Sequence, residues 1–301
     1  MREEWPGYCS ICERRVIFRA QGTWHRDELV CTTCGSIPRM RALIAVLSIV
    51  SPRWRDARIW EVAPAGALSE KLRSESRDYV SSHYWPGVPL GTYVDRVRSE
   101  DIERPTFDDE SIDIVVSSDV FEHVIDVNTA LAQVARVLVD GGLHVWTAPQ
   151  YRDLETSRSR VRRTTEGLEH LVPPEYHGDP VNPDGALVTY DWGRDLPDRV
   201  ESASSMWTTV FRLESRPHGL LGEFLEVFVS HKGGATALAV DSKDEPVSRS
   251  EPRGDPHPSF GSAMGLIRSD HEVLPAPRSW KYWGTTWLLR ALMRTLRRRG
   301  S

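Results

Sequence analysis

No cysteine follows Cys34 in these 301 residues, and all four of the chain lie at or before it. A disulfide framework spread through the fold is therefore excluded, and in a reducing compartment such clustering favours metal over disulfides. A long apolar run is also missing. The longest, Ala42 to Val50, is interrupted by Ser48 and falls far short of the roughly 20 residues that a bilayer span needs. Met1 to Ser10 is polar and acidic, without the apolar core of a signal peptide, so a soluble cytoplasmic chain is expected. Positive charge is not in excess. The 38 Lys and Arg against 43 Asp and Glu give a formal net charge of −5, which argues against a surface that coats nucleic acid. No GxGxxG follows a first strand, which excludes the usual dinucleotide fingerprint. No internal repeat is visible.

What is present is enough for a sizeable core, at 40% hydrophobic residues. Four regions separate by composition. Residues 1–36 hold every cysteine. Residues 37–232 read as one α/β domain, opened by a helix over 37–50 in which Ile37, Met40, Leu43, Ile44 and Leu47 recur at helical spacing. Strands are expected at Arg58–Ala63, Tyr79–Ser82, Ile112–Ser117 and Leu143–Ala148, and helices at Leu68–Ser74 and Asn128–Val139. Their alternation signals a mostly parallel, Rossmann-like sheet covered by helices. Gly141-Gly142 is expected to stop the second of these helices. Two late β-like runs, Met206–Leu213 and Phe224–Ser230, suggest an antiparallel hairpin at the sheet edge. Residues 233–262 are rich in Gly, Pro, Ser and charge and read as a linker, and 263–301 as a basic aromatic tail.

Cys9-Ser-Ile-Cys12 and Cys31-Thr-Thr-Cys34 are two CxxC pairs separated by eighteen residues. Each pair can set two thiolates on one knuckle, and a hairpin between the pairs, with strands at Val16–Arg19 and Glu28–Val30, would bring four sulfurs around Zn²⁺. Four ordinary buried cysteines or a redox CxxC are the alternatives, and the matched pairs favour metal. Four sulfurs already close a site, so His25 is expected at the surface rather than as a ligand, and the metal to be structural.

Ile59-Trp60-Glu61-Val62-Ala63-Pro64-Ala65-Gly66-Ala67-Leu68 reads as a strand, a small-residue turn and a helix start, a turn through which backbone can approach a ligand. Glu61 suits a cofactor with a cationic amino-acid moiety, although Ala63 and Ala65 stand where glycines are usual. Further on come Ser99-Glu100-Asp101-Ile102, then Phe107-Asp108-Asp109-Glu110-Ser111-Ile112-Asp113-Ile114-Val115-Val116-Ser117-Ser118-Asp119-Val120-Phe121-Glu122-His123-Val124, then Arg136-Val137-Leu138-Val139-Asp140-Gly141-Gly142. This order closely resembles class I S-adenosylmethionine-dependent methyltransferases over residues 58–150, and more loosely to 232. Some bacterial members linked to glycan and small-molecule biosynthesis resemble the chain further, with a cysteine ribbon, a helix and a segment similar to Pro174-Glu175-Tyr176-His177-Gly178-Asp179-Pro180.

The resemblance implies that Glu61, Ala63, Pro64, Ala65 and Gly66 frame the methionine end of S-adenosylmethionine. It implies Asp101 and Ile102 at the adenine, and Ser117, Ser118 and Asp119 beside the transferred methyl. One departure stands out: where many members carry an acid for the ribose hydroxyls, this chain has Ser81-Ser82-His83. An acceptor proton calls for a base near neutral pKa, and His177 and His123 are the candidates, with His170 and Tyr176 behind them. The acceptor expected is a small molecule or glycan. An RNA methyltransferase using its ribbon for RNA and a non-catalytic adaptor are the competing readings. In the tail, Trp287, Leu288, Ala291, Leu292, Thr295 and Leu296 oppose Arg290, Arg294, Arg297 and Arg298 at helical spacing. That pattern suits either peripheral contact with a membrane or an acidic partner, or packing on the chain's own core.

Overall fold

The structure, a computed structural model, describes residues 3–179 and 181–233. The expected linker beyond its first residue and the basic aromatic tail lie outside the described residues.

The N-terminal segment forms a three-stranded antiparallel sheet of β1 (Glu4–Cys9), β2 (Arg14–Ala20) and β3 (Leu29–Cys31), in that order. The sequence anticipated β2 and β3 but not β1, whose Pro6 and Gly7 disguise it as a turn. A single helical turn, α1 (His25–Glu28), takes Glu28 out of the expected strand. Helix α2 (Pro38–Val50) follows, with Pro38 in its first turn, where the missing N–H costs nothing. Its burial extends well beyond one stripe, because α1, α3 and the main sheet all pack against it.

The main domain runs β4 (Arg58–Val62), α3 (Gly66–Glu75), β5 (Asp78–His83), β6 (Tyr93–Val94), β7 (Val97–Ser99), β8 (Ile112–Ser118), α4 (Val127–Val137) and β9 (Leu138–Thr147). After β9 come six short strands: β10 (Arg158–Ser159), β11 (Val161–Thr164), β12 (Gly167–His170), β13 (Tyr176–His177), β14 (Ala186–Leu187) and β15 (Tyr190–Asp191). Helix α5 (Leu196–Ser204), β16 (Trp207–Phe211) and β17 (Val227–His231) complete it. The eight-stranded sheet has the order β16-β17-β9-β8-β4-β5-β7-β6. β7, β5, β4, β8 and β9 are parallel, whereas β17 opposes β9 and β16 opposes β17. The expected Rossmann-like sheet with a late antiparallel pair is what forms.

The direction of chain progression reverses between β4 and β8. A crevice opens above the carboxyl ends of the strands at such a switch point. The short strands after β9 pair among themselves, β10 with β15, β11 with β12 and β13 with β14. Thr189 pins this insertion to the sheet end, its Oγ1 donating to the Val124 carbonyl at 2.6 Å.

One expectation is corrected. Gly141-Gly142 does not stop α4, which ends at Val137 and passes directly into β9. Pairing with β8 jumps from Ile112↔Leu138 to Ile114↔Leu143, so residues 139–142 bulge within the strand. Gly141 takes φ +78° there and donates to the Lys232 carbonyl at 3.0 Å. The glycines bend a strand against its antiparallel neighbour.

The core beneath the crevice is aromatic, with Trp60, Trp146, Trp192 and Phe121 fully buried. His144 lies flat against Trp146, ring centroids 5.1 Å apart, and shares a 2.9 Å hydrogen bond with Ser117 Oγ. Burial pulls the His144 pKa from 6.5 down to about 3. The unfolded chain therefore takes up a proton at this histidine below pH 6.5 while the folded chain does not, and stability falls as the pH drops. A His144→Gln variant lacks this titration. Its stability deficit relative to the parent should shrink by about 1.4 kcal/mol per pH unit between pH 6.5 and 4, as urea unfolding would measure; a deficit constant with pH would show that His144 is protonated in the fold.

Candidate active site and cysteine knuckle

The four cysteine sulfurs lie within 4.8 Å of one another. Cys9 Sγ is 3.8 Å from Cys34 Sγ, and Cys12 Sγ is 3.8 Å from Cys31 Sγ. A Zn–S bond of about 2.3 Å places tetrahedral sulfurs about 3.8 Å apart; a disulfide would need about 2.05 Å. The chemistry around the knuckle fits the same reading. Arg41 of α2 is fully buried and has no carboxylate partner among the described residues. Its guanidinium donates to the Leu29 carbonyl at 2.8 Å and the Gly219 carbonyl at 2.7 Å, and also to the Ser36 carbonyl. Burial draws its pKa down to about 10, and the opposing charges are those of the four cysteines. A tetrathiolate holding a dication carries a net negative charge, which is the counter-charge that Arg41 otherwise lacks.

Above the sheet, a cavity of about 1220 Å³ runs along the carboxyl ends of β4, β5 and β8 and under the insertion. At one end it is lined by Ala63, Ala65, His83, Asp101, Ile102 and Ser118. Ala63 sits at φ +55°, a conformation costly for a residue with a Cβ, and donates its N–H to the Ser82 carbonyl at 2.8 Å. Gly66 takes φ +62°, and a Cβ there would lie 2.8 Å from Met40 Cε. This explains why the one retained glycine of the turn is Gly66. Pro64 and Gly66 shape the turn without lining the cavity.

Glu61 faces away from that cavity. Its carboxylate accepts from Ser69 Oγ at 2.7 Å and from Tyr79 OH, and burial raises its pKa to about 7. Ser117 likewise points inward, to His144, while Ser118 reaches the cavity. Asp101 accepts from the Glu103 N–H and from Arg104 Nε, both at 3.0 Å, which fixes its carboxylate at the cavity wall. His83 occupies the end of β5, its Nε2 3.8 Å from Asp179 Oδ1. The acid missing from the second parallel strand is thus brought to that place by a later loop.

Asp119, expected beside the methyl, lines the cavity and is engaged by two arginines of the N-terminal segment. It takes φ +54° and accepts from Arg39 at 2.6 Å, from Arg26, and from Thr147 Oγ1 at 2.8 Å. Burial alone would raise its pKa, yet the two guanidinium groups hold it at about 2. Asp27 completes the cluster with Arg26 and Arg39. Arg26, Asp27 and Arg39 line the cavity and were not foreseen, since nothing local marks a charged residue as aimed at a site some 90 residues away.

The other end of the cavity holds both candidate histidines. His123 and His177 meet edge to face with ring centroids 5.1 Å apart. His123 Nδ1 is 2.9 Å from the Leu187 carbonyl, so Nδ1 carries the proton and Nε2 presents a lone pair. Burial lowers the His123 pKa below its usual value. Glu122, passed over in the sequence, lies beside them, fully buried, its pKa raised by burial and by the Asp119 charge. Trp24, Phe224 and Tyr151 form an aromatic wall, with centroid separations of 6.2 and 5.3 Å. Tyr176 and His170 stand outside the lining.

Residues 65–146 match the family model described as a methyltransferase domain. Comparison with curated proteins gave no match. Among solved structures, the chain is 12% identical to an S-adenosylmethionine-dependent methyltransferase from Mesorhizobium loti, over 64% of this chain and 98% of that one, at a TM-score of 0.41. It is 15% identical to the 1,6-didemethyltoxoflavin-N1-methyltransferase of Burkholderia thailandensis, solved with 1,6-didemethyltoxoflavin and S-adenosylhomocysteine, over 65% and 79% at a TM-score of 0.39. Those scores are too low to bear on substrate. The family match marks residues 65–146 as a methyltransferase domain, and the strand order with its crevice is the Rossmann-like sheet of that fold.

Proposed function

We propose that this chain transfers a methyl group to a hydroxyl or amine of a small-molecule or glycan acceptor, and that its four cysteines hold a structural Zn²⁺. The observation that carries the reading is one continuous cavity reaching from the Ala63–Ala65 turn and Asp101 to His123 and His177. S-adenosylmethionine, when bound, supplies an electrophilic methyl on a sulfonium. Asp101 would accept from the adenine amino group while Ile102 covers a ring face, and His83 with Asp179 would meet the ribose hydroxyls. Ala63 and Ala65 would frame the methionine end. The wall of Trp24, Phe224 and Tyr151 offers apolar faces for a ring or sugar, with polar groups to fix its orientation. His123 Nε2 and a ring nitrogen of His177 would be placed to take the acceptor's proton, and the insertion of β10–β15 borders that end. Much of the catalysis would then be alignment.

An RNA acceptor would ask for a basic approach to the cavity, whereas Glu103, Glu175, Asp179 and Asp27 stand among its lining arginines. Among the described residues no helix is long and apolar enough to cross a membrane. A cytoplasmic setting, with the C-terminal tail in peripheral contact with anionic lipid, completes the proposal.

Three measurements bear on this reading. Calorimetry with S-adenosylhomocysteine should detect binding, weakened by about 1–3 kcal/mol in Asp101→Ala through loss of a buried polar partner; no heat at millimolar ligand would favour the adaptor. Metal analysis should give about one zinc per chain, lost in Cys31→Ser together with stability of the N-terminal sheet. Full zinc retention in that variant would remove the cysteine assignment. With an acceptor in hand, His177→Ala should lower turnover by about 10²-fold or more with little change in cofactor affinity; unchanged turnover would take His177 out of the mechanism.

A further inference from the structure

We propose that Glu122, His123 and His177 form a second metal site, for a divalent ion of the zinc type, at the acceptor end of the cavity. The role of that ion in activating an acceptor rests on the methyl-transfer reading; its binding does not. One ligand atom from each of the three residues lies within 4.8 Å of the other two, and His123 Nε2 is 4.0 Å from Glu122 Oε1. Ligands at about 2.0–2.1 Å from a tetrahedral ion stand about 3.3 Å apart, so the cluster needs to close by about an ångström. His177, with its side chain 39% exposed on a two-residue strand, can move toward the other two, and a rotation of the Glu122 carboxylate, which no hydrogen bond holds, narrows its gap to His123.

Two features mark the cluster as built to receive a cation. Glu122 is 1% exposed, and neither carboxylate oxygen has a hydrogen-bond partner. A buried carboxylate left so is rare and costly unless something positive meets it. The nearby arginines, Arg26 and Arg39, are already spent on Asp119 and Asp27. Second, the His123 ring is held from behind. Its Nδ1–H donates to the Leu187 carbonyl, the support that commonly orients a metal-binding imidazole and leaves Nε2 as the donor. Two imidazoles and one carboxylate suit zinc and its transition-metal neighbours rather than calcium or magnesium, which demand more oxygen ligands. Three protein ligands leave a coordination position open. His123 and His177 both line the cavity, so that position faces the space where an acceptor hydroxyl or amine would sit; a cation there would make its proton easier to lose to solvent, with the two imidazoles serving as ligands in place of bases.

The test uses the full-length protein, incubated with excess Zn²⁺ and passed through gel filtration before metal analysis, with Zn²⁺ titration calorimetry alongside. The parent should carry about two equivalents, and the second should weaken by at least about tenfold in His177→Ala and in the near-isosteric Glu122→Gln. Cys31→Ser should keep this second equivalent while losing the first. Co²⁺ at the site should give ligand-field bands without thiolate charge transfer, which separates it from the knuckle. A parent saturating at one equivalent overturns the proposal, as does full second-site affinity in His177→Ala, an exposed position whose change leaves the fold intact. A second ion bound by a protein that transfers no methyl would count against the methyl-transfer reading alone.

Discussion

The carboxylate of Asp119 is where the cysteine-bearing segment takes hold of the sheet. It stands at the carboxyl end of β8, in a left-handed conformation, and receives Arg26 from α1 and Arg39 from α2. Two arginines and two aspartates make a neutral cluster at the cavity wall, and the depressed pKa keeps Asp119 ionised at any working pH. Arg26 could not be held there by its own short element. A four-residue helix is not stable alone, so α1 is fixed by the hairpin around it and by Phe224, whose carbonyl accepts from Arg26 Nε at 3.2 Å. Gly222 permits that approach: a Cβ there would come within 2.6 Å of the Arg26 backbone nitrogen.

The knuckle thus supports the cavity from a distance. Arg41 ties the β3 end and Ser36 to Gly219, while Arg26 and Arg39 carry the same segment into the crevice. Removing one partner from a buried ionic cluster typically costs about 3–5 kcal/mol, because the other charge is left stranded. The geometry of the sulfurs and the shape of the site are therefore two ends of one connected structure, although no sulfur lines the cavity.

How much of this was legible depended on the range of the signal. The four long parallel strands and two of the three main-domain helices, α3 and α4, follow from hydrophobic pattern, and the structure shifts most of their ends by a residue or two, whereas α5 was not foreseen; β9 starts five residues early because its bulge hides in the Gly141-Gly142 pair. The strands of the insertion were illegible for a physical reason. β12 is exposed along its whole length, so no alternation of burial was written into it. Among the site residues, the motifs located the right ends of the right strands but not the facing of each side chain. Successive residues of a strand point to opposite faces, so Ser117 turns to His144 while Ser118 reaches the cavity. The same strand-end geometry turns Glu61 to Ser69 and Tyr79. Arg26 and Asp119 are 93 residues apart, and only tertiary structure joins them. Glu122 was in view throughout, but its meaning rests on having no partner, which no sequence displays.

The loop bearing β13 and β14 is common to both halves of the cavity. From it His177 meets His123 at the acceptor end, while Asp179 lies against His83 at the end of β5. Its position is set from the sheet side, through Leu187 to His123 and through Thr189 to the Glu122 and Val124 carbonyls. A ligand touching His83 and one touching His177 would therefore each press on the same short segment, across fewer than ten residues of chain. Ordering that segment once serves both contacts, so whichever ligand arrives first leaves less conformational freedom for the second to remove. The substitution of His83 for the customary acid then has a consequence beyond the ribose. Under the proposed function it would move the acidic contact from the rigid strand end to the loop that bears His177, and so would join cofactor binding to the shape of the acceptor pocket.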